Sequence, residues 1–428
     1  SLKGNQFCYF NMPVTLGEIP QQPRDEAFAL TADFKADNHP NKVSLSAGVY
    51  RDGNSKPWVL SSVREAKRIL HETTDLDHEY LPIQGLDSFL SAAKDLILGK
   101  EAAATANVVS LQTISGTGAN HVGAAFLGQK LQPKNIFISD PTWSNHHLVW
   151  TVGAPNVTQR KYPYYDFSNH TLDFDGMMST LETEAEENDV VILHACSHNP
   201  TGADPTREQW QSLATLFKRK KLFAFFDSAY QGFATGDVEV DGWAVRHFQQ
   251  TLFGESSAED PSSALPGMCI AQSFAKNFGL YGERVGAFHL ILPKQTPAAG
   301  ARSELLRLVR AEISNPPLFG ARIVQTVLSD AKLRAMWEDD LRVMSGRITK
   351  MRSLLRQAID EDPSSGDWSR LESQIGMFSF TGLGENQVLR LREVHHIYLM
   401  NNGRISLSGV NEGNVKYIAR AFNEVLRH

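Results

Sequence analysis

Short β-rich runs recur between residues 105 and 295, and long stretches that often look helical separate them. Most of these runs lack the alternation of apolar and polar residues that a half-exposed strand shows. Strands without alternation are covered on both faces, as in a largely parallel sheet with helices on each side. The sequence therefore predicts an α/β fold with a three-layer α/β/α core. The runs are residues 107–114, 135–139, 189–195, 222–226, 268–272 and 285–292.

One connecting stretch, residues 204–221, is readily interpreted as a helix. Thr206 is expected to cap its N-terminus, and the basic residues at 218–221 lie at the negative end of its dipole. Trp210, Leu213 and either Leu216 or Phe217 share one apolar stripe. This stretch and the run that precedes it predict a βα unit.

Length and charge limit the possible functions. The chain has 428 residues, more than one typical core, so we expect two domains. A net charge of -6 argues against nucleic acid or an anionic membrane as the main partner. Three scattered cysteines, Cys8, Cys196 and Cys269, favour a reducing compartment over a disulfide framework.

No apolar run approaches the roughly 18 residues of a transmembrane helix. The first residues resemble neither a signal peptide nor a presequence, although a presequence could already have been removed.

Polar residues follow five of the predicted strands. In open α/β sheets, ligands bind beyond the carboxyl ends of the strands, so these segments should be considered together. They offer a phosphate cradle, an aromatic plate, an amide, a carboxylate with a phenol, and an amine. The five segments are SGTGAN (115–120), DPTWSNH (140–146), SHNPTG (197–202), DSAY (227–230) and SFAK (273–276).

The first segment combines small residues with a predicted helix start. Gly116 and Gly118 permit close backbone approach, Ser115 and Thr117 add hydroxyls, and a helix N-terminus is a ready anion site. An ordinary tight turn explains the same residues equally well. A dinucleotide fingerprint would need a third glycine where His121 stands, which weakens a nicotinamide interpretation.

Lys276 stands apart from a typical surface lysine because it follows a run that looks like a buried strand. Partial desolvation and nearby positive charge lower the pKa of a lysine and make it a nucleophile. Enzymes activate the lysines that form Schiff bases in this way.

Asp227 follows the apolar residues 222–226, where an unpaired carboxylate is costly. It is either a structural cap or the ionic partner of a protonated ring nitrogen. Tyr230 could donate a hydrogen bond to a phenolate, and Trp143 is either a core residue or a plate that stacks on a planar ring.

His194 and His198 are four residues apart, a spacing that superficially suggests a metal site. Zinc ligands at this spacing usually need a helix, whereas these residues straddle a strand end and Pro200. We therefore predict no metal, and we interpret Asn199 as an amide that points into the same cleft.

Seven motifs in order resemble those of class I aspartate aminotransferases, which are pyridoxal-phosphate enzymes of fold type I. The likeness extends from about residue 30 to the C-terminus, and its details look closest to fungal and animal cytosolic forms. One departure is Ala275, where many family members have serine. The motifs are SGTGAN, PTWSNH, HACSHNPTG, FDSAYQGFATGD, QSFAKNFGLYGERVG, SNPP and GRISLSG.

The resemblance implies a role for each matching residue. Lys276 would form the Schiff base with pyridoxal 5'-phosphate and then move the proton, and Asp227 would keep the pyridine nitrogen protonated. His146 would support Asp227, and Tyr80 would reach the phosphate from the neighbouring subunit of a homodimer. Catalytic roles would fall to Lys276, Asp227, Tyr230 and Tyr80. The implied cofactor-binding residues are Tyr80, Ser115, Gly116, Thr117, Trp143, His146, Asn199, Asp227, Tyr230, Ser273, Lys276 and Arg284.

The resemblance also implies how the substrate binds. Arg404 would hold the α-carboxylate, and Arg310 would reach the side-chain carboxylate across the dimer. Two guanidinium groups select a dicarboxylic substrate because each binds a carboxylate through paired hydrogen bonds. Gly48, Trp143 and Asn199 would also line the substrate side of the cleft.

These inferences together predict a homodimeric, cytoplasmic enzyme, with mitochondrial or peroxisomal placement as the alternative. Its expected reaction is reversible, ping-pong transamination between L-aspartate and 2-oxoglutarate. An aromatic or broad aminotransferase and a cofactor-binding protein without turnover are the other hypotheses. We expect an N-terminal arm (1–25), a large cofactor domain (59–335) and a smaller α/β domain (26–58 and 336–428).

Overall fold

The computed structural model describes residues 16–254 and 265–427, so most of the predicted arm, with Cys8, lies outside the described residues. The strands are β1 (Val43–Ser44), β2 (Asn107–Ile114), β3 (Asn135–Asp140), β4 (Thr158–Pro163), β5 (Tyr165–Asp166), β6 (Thr171–Leu172), β7 (Val190–His194), β8 (Phe223–Ser228), β9 (Met268–Ser273), β10 (Val285–Leu292), β11 (Phe378–Phe380), β12 (Ile397–Tyr398) and β13 (Arg404–Ser406). The helices are α1 (Glu26–Ala36), α2 (Ser61–Glu72), α3 (Asp87–Leu98), α4 (Lys100–Thr105), α5 (Ser115–Lys130), α6 (Asn145–Gly153), α7 (Phe174–Glu184), α8 (Arg207–Lys220), α9 (Val238–Asp241), α10 (Trp243–Phe253), α11 (Ala299–Glu312), α12 (Phe319–Ser329), α13 (Ala331–Asp360), α14 (Arg370–Ser373), α15 (Glu385–His395) and α16 (Val415–Leu426).

A seven-stranded sheet forms the centre of the molecule, in the order β2-β10-β9-β8-β7-β3-β4. Strand β10 runs antiparallel to both of its neighbours, and the remaining pairs are parallel. Every residue of β7, β8, β9 and β10 is buried, which explains why these runs show no alternation. The predicted mostly parallel sheet is therefore confirmed.

All six predicted runs are strands of this sheet, with bounds that agree within two residues. The sequence analysis missed β4, which pairs only with β3 and lies at the edge of the sheet. Its residues are mostly exposed and polar, so no apolar run in the sequence predicts this strand. It also missed the reversed direction of β10.

Helices cover both faces of the sheet, and two large apolar clusters fill the space between the layers. Helix α8 begins as predicted. The Thr206 hydroxyl accepts from the Gln209 backbone N–H, and the Gln209 side chain accepts from the Thr206 N–H, so the two residues form a capping box. Trp210, Leu213 and Phe217 are buried against the sheet side, as their spacing indicates.

One small sheet joins the beginning and the end of the chain, and another lies within the C-terminal part. Strands β1 and β12 pair in parallel, and β11 pairs antiparallel with β13. The 30-residue helix α13 packs on α2, α12 and α16, and its buried residues form part of a third large apolar cluster. No helix among the described residues is long and apolar enough to span a membrane.

The sheet directions decide where the polar segments meet. Strands β2, β3, β7, β8 and β9 all run the same way, so their carboxyl ends lie at one edge. Because β10 is reversed, its first residue and the preceding Arg284 lie at that same edge. Residues from six different parts of the chain therefore surround one cleft.

Candidate active site

A cavity lies at this edge of the sheet. His194, Cys196 and Asn120 contribute to its wall in addition to residues that the sequence analysis selected. The cavity is lined by ten of the predicted site residues, namely Ser115, Gly116, Thr117, Trp143, Asn199, Asp227, Tyr230, Ser273, Lys276 and Arg284.

One end of the cavity is an anion cradle formed where β2 passes into α5. Ser115 has a φ of +58°, and its hydroxyl lies 3.2 Å from that of Ser273. A side chain at Gly116 would place its Cβ 2.9 Å from the Cβ of Ser273, so only glycine leaves this space open. Arg284 faces the same cavity, and its Nη1 donates to the Tyr281 carbonyl at 2.8 Å. A helix N-terminus, two hydroxyls and a guanidinium together suit a phosphate group.

Lys276 lies just beyond β9, where its amine faces the cavity. Burial lowers the pKa of this amine to about 8, and the nearby Arg284 and Arg404 add to the effect, although Asp227 opposes it. Its Nζ lies 5.5 Å from the centre of the Tyr230 ring. The amine is therefore far easier to deprotonate than that of an exposed lysine.

Asp227 stands at the end of β8 with its two oxygens in different environments. Oδ2 accepts from His146 Nε2 at 2.9 Å and from Asn120 Nδ2 at 3.3 Å. Oδ1 is buried and has no hydrogen-bond partner among the described residues. Burial alone would raise the pKa of this carboxyl, but His146 above all, with His194 and Asn120, brings that pKa below its usual value. The site therefore holds an ionised carboxylate with one oxygen free to accept a proton donor.

A chain of hydrogen bonds orients His146 toward Asp227. Burial lowers the pKa of His194 to about 3, so its ring is neutral, and the Asn199 backbone N–H donates to its Nδ1 at 3.1 Å. We therefore assign the ring proton to Nε2, which lies 3.3 Å from Thr142 Oγ1. The Thr142 hydroxyl then donates to His146 Nδ1 at 2.8 Å, and His146 Nε2 donates to Asp227.

The sequence analysis overlooked Thr142 and Asn120 in this network. Thr142 lies four residues before His146, a spacing that could have suggested a contact around the start of a helix. Both ring nitrogens of His194 and of His198 take part in hydrogen bonds. No group of three or more metal-ligating residues occurs within residues 16–254 and 265–427.

Arg404 is buried on β13, next to the cavity. Its Nη2 donates to the Ser46 carbonyl at 2.8 Å and its Nη1 donates to Asn199 Oδ1 at 3.3 Å, while Nε has no partner among the described residues. The guanidinium lies 4.2 Å from the centre of the Phe378 ring, and a Cβ on Gly48 would lie 3.5 Å from the same ring. Burial lowers the pKa of Arg404 without discharging it.

Tyr80 and Arg310 do not line the cavity of their own chain. The Tyr80 side chain is 84% exposed, and the exposed Arg310 donates to the Ser314 hydroxyl. Their contribution to a neighbouring subunit stays a prediction.

Comparison of the sequence with known protein families identifies the family of this chain. The family profile described as "Aminotransferase class I and II" matches residues 40–422, which is most of the chain. The chain belongs to this family. Membership confirms the resemblance found from the motifs and the predicted class of enzyme.

Individual aminotransferases resemble the chain over nearly its full length. An L-tyrosine:2-oxoglutarate aminotransferase of Aspergillus ustus is 45% identical over 96% of this chain and 78% of that protein. The solved structure of the aspartate aminotransferase from Saccharomyces cerevisiae cytoplasm is 41% identical, with a TM-score of 0.91, over 96% of this chain and 98% of that one. An aromatic-amino-acid aminotransferase from Burkholderia pseudomallei, solved covalently bound to pyridoxal phosphate, is 37% identical, with a TM-score of 0.88, over 96% and 100%.

The residues of this aminotransferase fit that cofactor. The unpartnered Oδ1 of Asp227 provides an acceptor for a protonated pyridine nitrogen. The open space beside Gly116 and Ser273 provides room for a phosphate group. Lys276 offers an amine on the same cavity, with a pKa low enough for nucleophilic attack.

Proposed function

We propose that this aminotransferase catalyses reversible transamination between L-aspartate and 2-oxoglutarate with pyridoxal 5'-phosphate as cofactor. The observation that carries the proposal is the free, buried Oδ1 of Asp227, which shares one cavity with the Lys276 amine and the anion cradle. These are the three groups needed to bind the nitrogen, the aldehyde and the phosphate of one molecule.

Residues of this chain would bind the cofactor and transfer the proton, each in a separate role. When bound, pyridoxal phosphate supplies an aldehyde and an electron-withdrawing ring that stabilises negative charge on the substrate Cα. Asp227 holds the proton on the ring nitrogen, and Arg284 and the start of α5 bind the phosphate. The Lys276 amine would accept and return the proton at the substrate Cα. Trp143, as a cavity wall, would stack on the ring and exclude water.

Arg404 would select the substrate through its α-carboxylate. Asn199 and the Ser46 carbonyl hold the guanidinium in place, so less side-chain freedom is lost when a carboxylate binds. The second carboxylate of aspartate needs another cation, and we propose Arg310 of a partner subunit. The exposure of Arg310 and Tyr80 supports a homodimer in which each cavity is completed by its neighbour.

We further propose that residues 59–335 form a large domain and that residues 26–58 and 336–428 form a smaller one. Arg404 belongs to the second group and Asn199 to the first, so their hydrogen bond crosses the boundary. Movement of the smaller domain would bring Arg404 onto the substrate. The similarity to the yeast cytoplasmic enzyme supports a cytoplasmic location.

The first test follows the cofactor by absorbance. The purified, cofactor-loaded protein should lose its visible band when L-aspartate is added and should release oxaloacetate. Lys276→Ala should abolish both changes, while Lys294→Ala, which alters an exposed lysine, serves as the matched control. Full-rate transamination by Lys276→Ala would refute the assignment.

A second test examines the shared cavity. Lys276→Ala and Arg310→Ala should each be nearly inactive toward aspartate, but a mixture that exchanges subunits contains dimers with one intact cavity. Such a mixture should recover about one quarter of the unaltered activity, because half of the dimers carry one working site of two. Absence of any recovery, despite proven subunit exchange, would contradict the shared cavity.

Tyrosine and other aromatic amino acids form a second candidate substrate class. The Aspergillus ustus relative favours this class, since that protein is an L-tyrosine:2-oxoglutarate aminotransferase. The ratio of kcat/KM for aspartate to that for tyrosine and phenylalanine separates the two functions. We expect the ratio to exceed one and to fall in Arg310→Ala, because only the dicarboxylic substrate uses the second arginine.

A further inference from the structure

We propose that Asn120 is a positioning residue that holds Asp227 in register with the anion cradle and leaves its Oδ1 free for the cofactor. The inference rests on the proposed function, because it assigns a role toward the same cofactor. The carrying observation is that one amide group contacts both ends of the cavity, through Gly116 and through Asp227.

The contacts of Asn120 determine which way its amide points. Nδ2 lies 2.9 Å from the Gly116 carbonyl, one helical turn back, and 3.3 Å from Asp227 Oδ2. Both partners are acceptors, so only the NH₂ group can satisfy them, and its two hydrogens match the two acceptors. Oδ1 is left buried without a partner among the described residues, and the whole residue is only 1% exposed. A buried oxygen without a partner lowers the stability of the fold. The contacts that the NH₂ group makes with Gly116 and Asp227 are therefore kept at a cost in stability.

The two partners of Asn120 belong to opposite ends of the proposed cofactor site. Gly116 belongs to the cradle for the phosphate, and Asp227 would pair with the ring nitrogen. A rigid molecule can satisfy both only if their separation is correct. Asn120 fixes that separation directly, across 107 residues of sequence.

Asn120 also affects the charge of Asp227. With His146 and Asn120 both donating to Oδ2, the carboxylate is stabilised in its ionised form and Oδ1 stays available. Removing one donor makes the carboxylate more basic, so it holds more of the proton that it shares with the ring nitrogen. Other titratable groups near Asp227 are His194, on the same sheet, and Lys276, Tyr230 and Cys196.

The test uses the cofactor-loaded protein with ¹⁵N in the pyridine ring. In Asn120→Leu, the ring ¹⁵N resonance should move toward the value for an unprotonated pyridine, and the cofactor dissociation constant should rise about tenfold. In Asn120→Ala, which also lacks the donor, the ¹⁵N shift should have the same sign. Asn120→Ser is the substitute if the leucine variant does not fold.

Asn423→Leu is the matched control. Asn423 is also a buried amide in a helix, with Nδ2 bonded to the Ile359 carbonyl and Oδ1 without a partner among the described residues. It should lower stability without moving the ¹⁵N resonance or the dissociation constant. An unchanged resonance in every Asn120 variant, or an equal change in the control, would overturn the inference. Absence of a bound cofactor in the unaltered protein would instead refute the proposed function.

Discussion

The pKa of Lys276 can be tested in the cofactor-free protein by raising the pH. Burial and two neighbouring arginines lower that pKa from 10.5 to about 8. At pH 7 an amine with a pKa of 8 is about 9% deprotonated, whereas one with a pKa of 10.5 is only about 0.03% deprotonated. Since only the free amine attacks an electrophile, the reactive fraction of Lys276 at pH 7 should exceed that of an unperturbed lysine by about 300-fold.

Competitive labelling with trace acetic anhydride, read out by mass spectrometry, measures this reactivity residue by residue. The labelling rate of Lys276 should rise with pH, with a midpoint near pH 8 and a plateau about one pH unit higher, and the exposed Lys100 serves as an internal reference for reagent concentration. Asp227→Asn should move the midpoint to lower pH, because the carboxylate is the one nearby group that raises the pKa. A midpoint near 10.5, or one that Asp227→Asn moves upward, would refute the electrostatic reasoning.

Three further predictions concern individual contacts. Arg404→Lys should raise the aspartate concentration needed for half-saturation at least tenfold, because an ammonium cannot keep the paired contacts of a guanidinium, and steady-state kinetics with unchanged cofactor binding would show it. Gly116→Ala should weaken cofactor binding about tenfold, since its methyl group would lie 2.9 Å from Ser273 Cβ; equal affinity in a spectroscopic titration would contradict the cradle. Thr206→Ala should lower the free energy of unfolding by about 1 kcal/mol in urea denaturation and leave transamination unchanged, because it removes only the cap of α8.

The strands of the central sheet were predictable because burial on both faces leaves a mark in the sequence. Strands β7 to β10 are buried at every position, so each is a continuous apolar run. The edge strand β4 has no such run because one side of it faces solvent. The reversal of β10 could not be predicted, since an apolar run carries no direction.

The candidate site was partly predictable for a related reason. Parallel strands place their carboxyl ends at one edge, so polar residues after each run had to come together. Asn120 lies in the first of these segments, SGTGAN, but nothing in the sequence indicated its contact with Asp227. It lies on α5, and its partner Asp227 is 107 residues away in the sequence.

The sequence by itself determined the family, the sheet and the chemical groups that its strand ends carry, because these depend on local runs and on motifs in order. Only the tertiary structure decided which oxygen of Asp227 stays free, which nitrogen of His194 carries the proton and how far the pKa of Lys276 falls. Those properties depend on distances of about 3 Å between residues that lie far apart in the chain and on the exclusion of water around them.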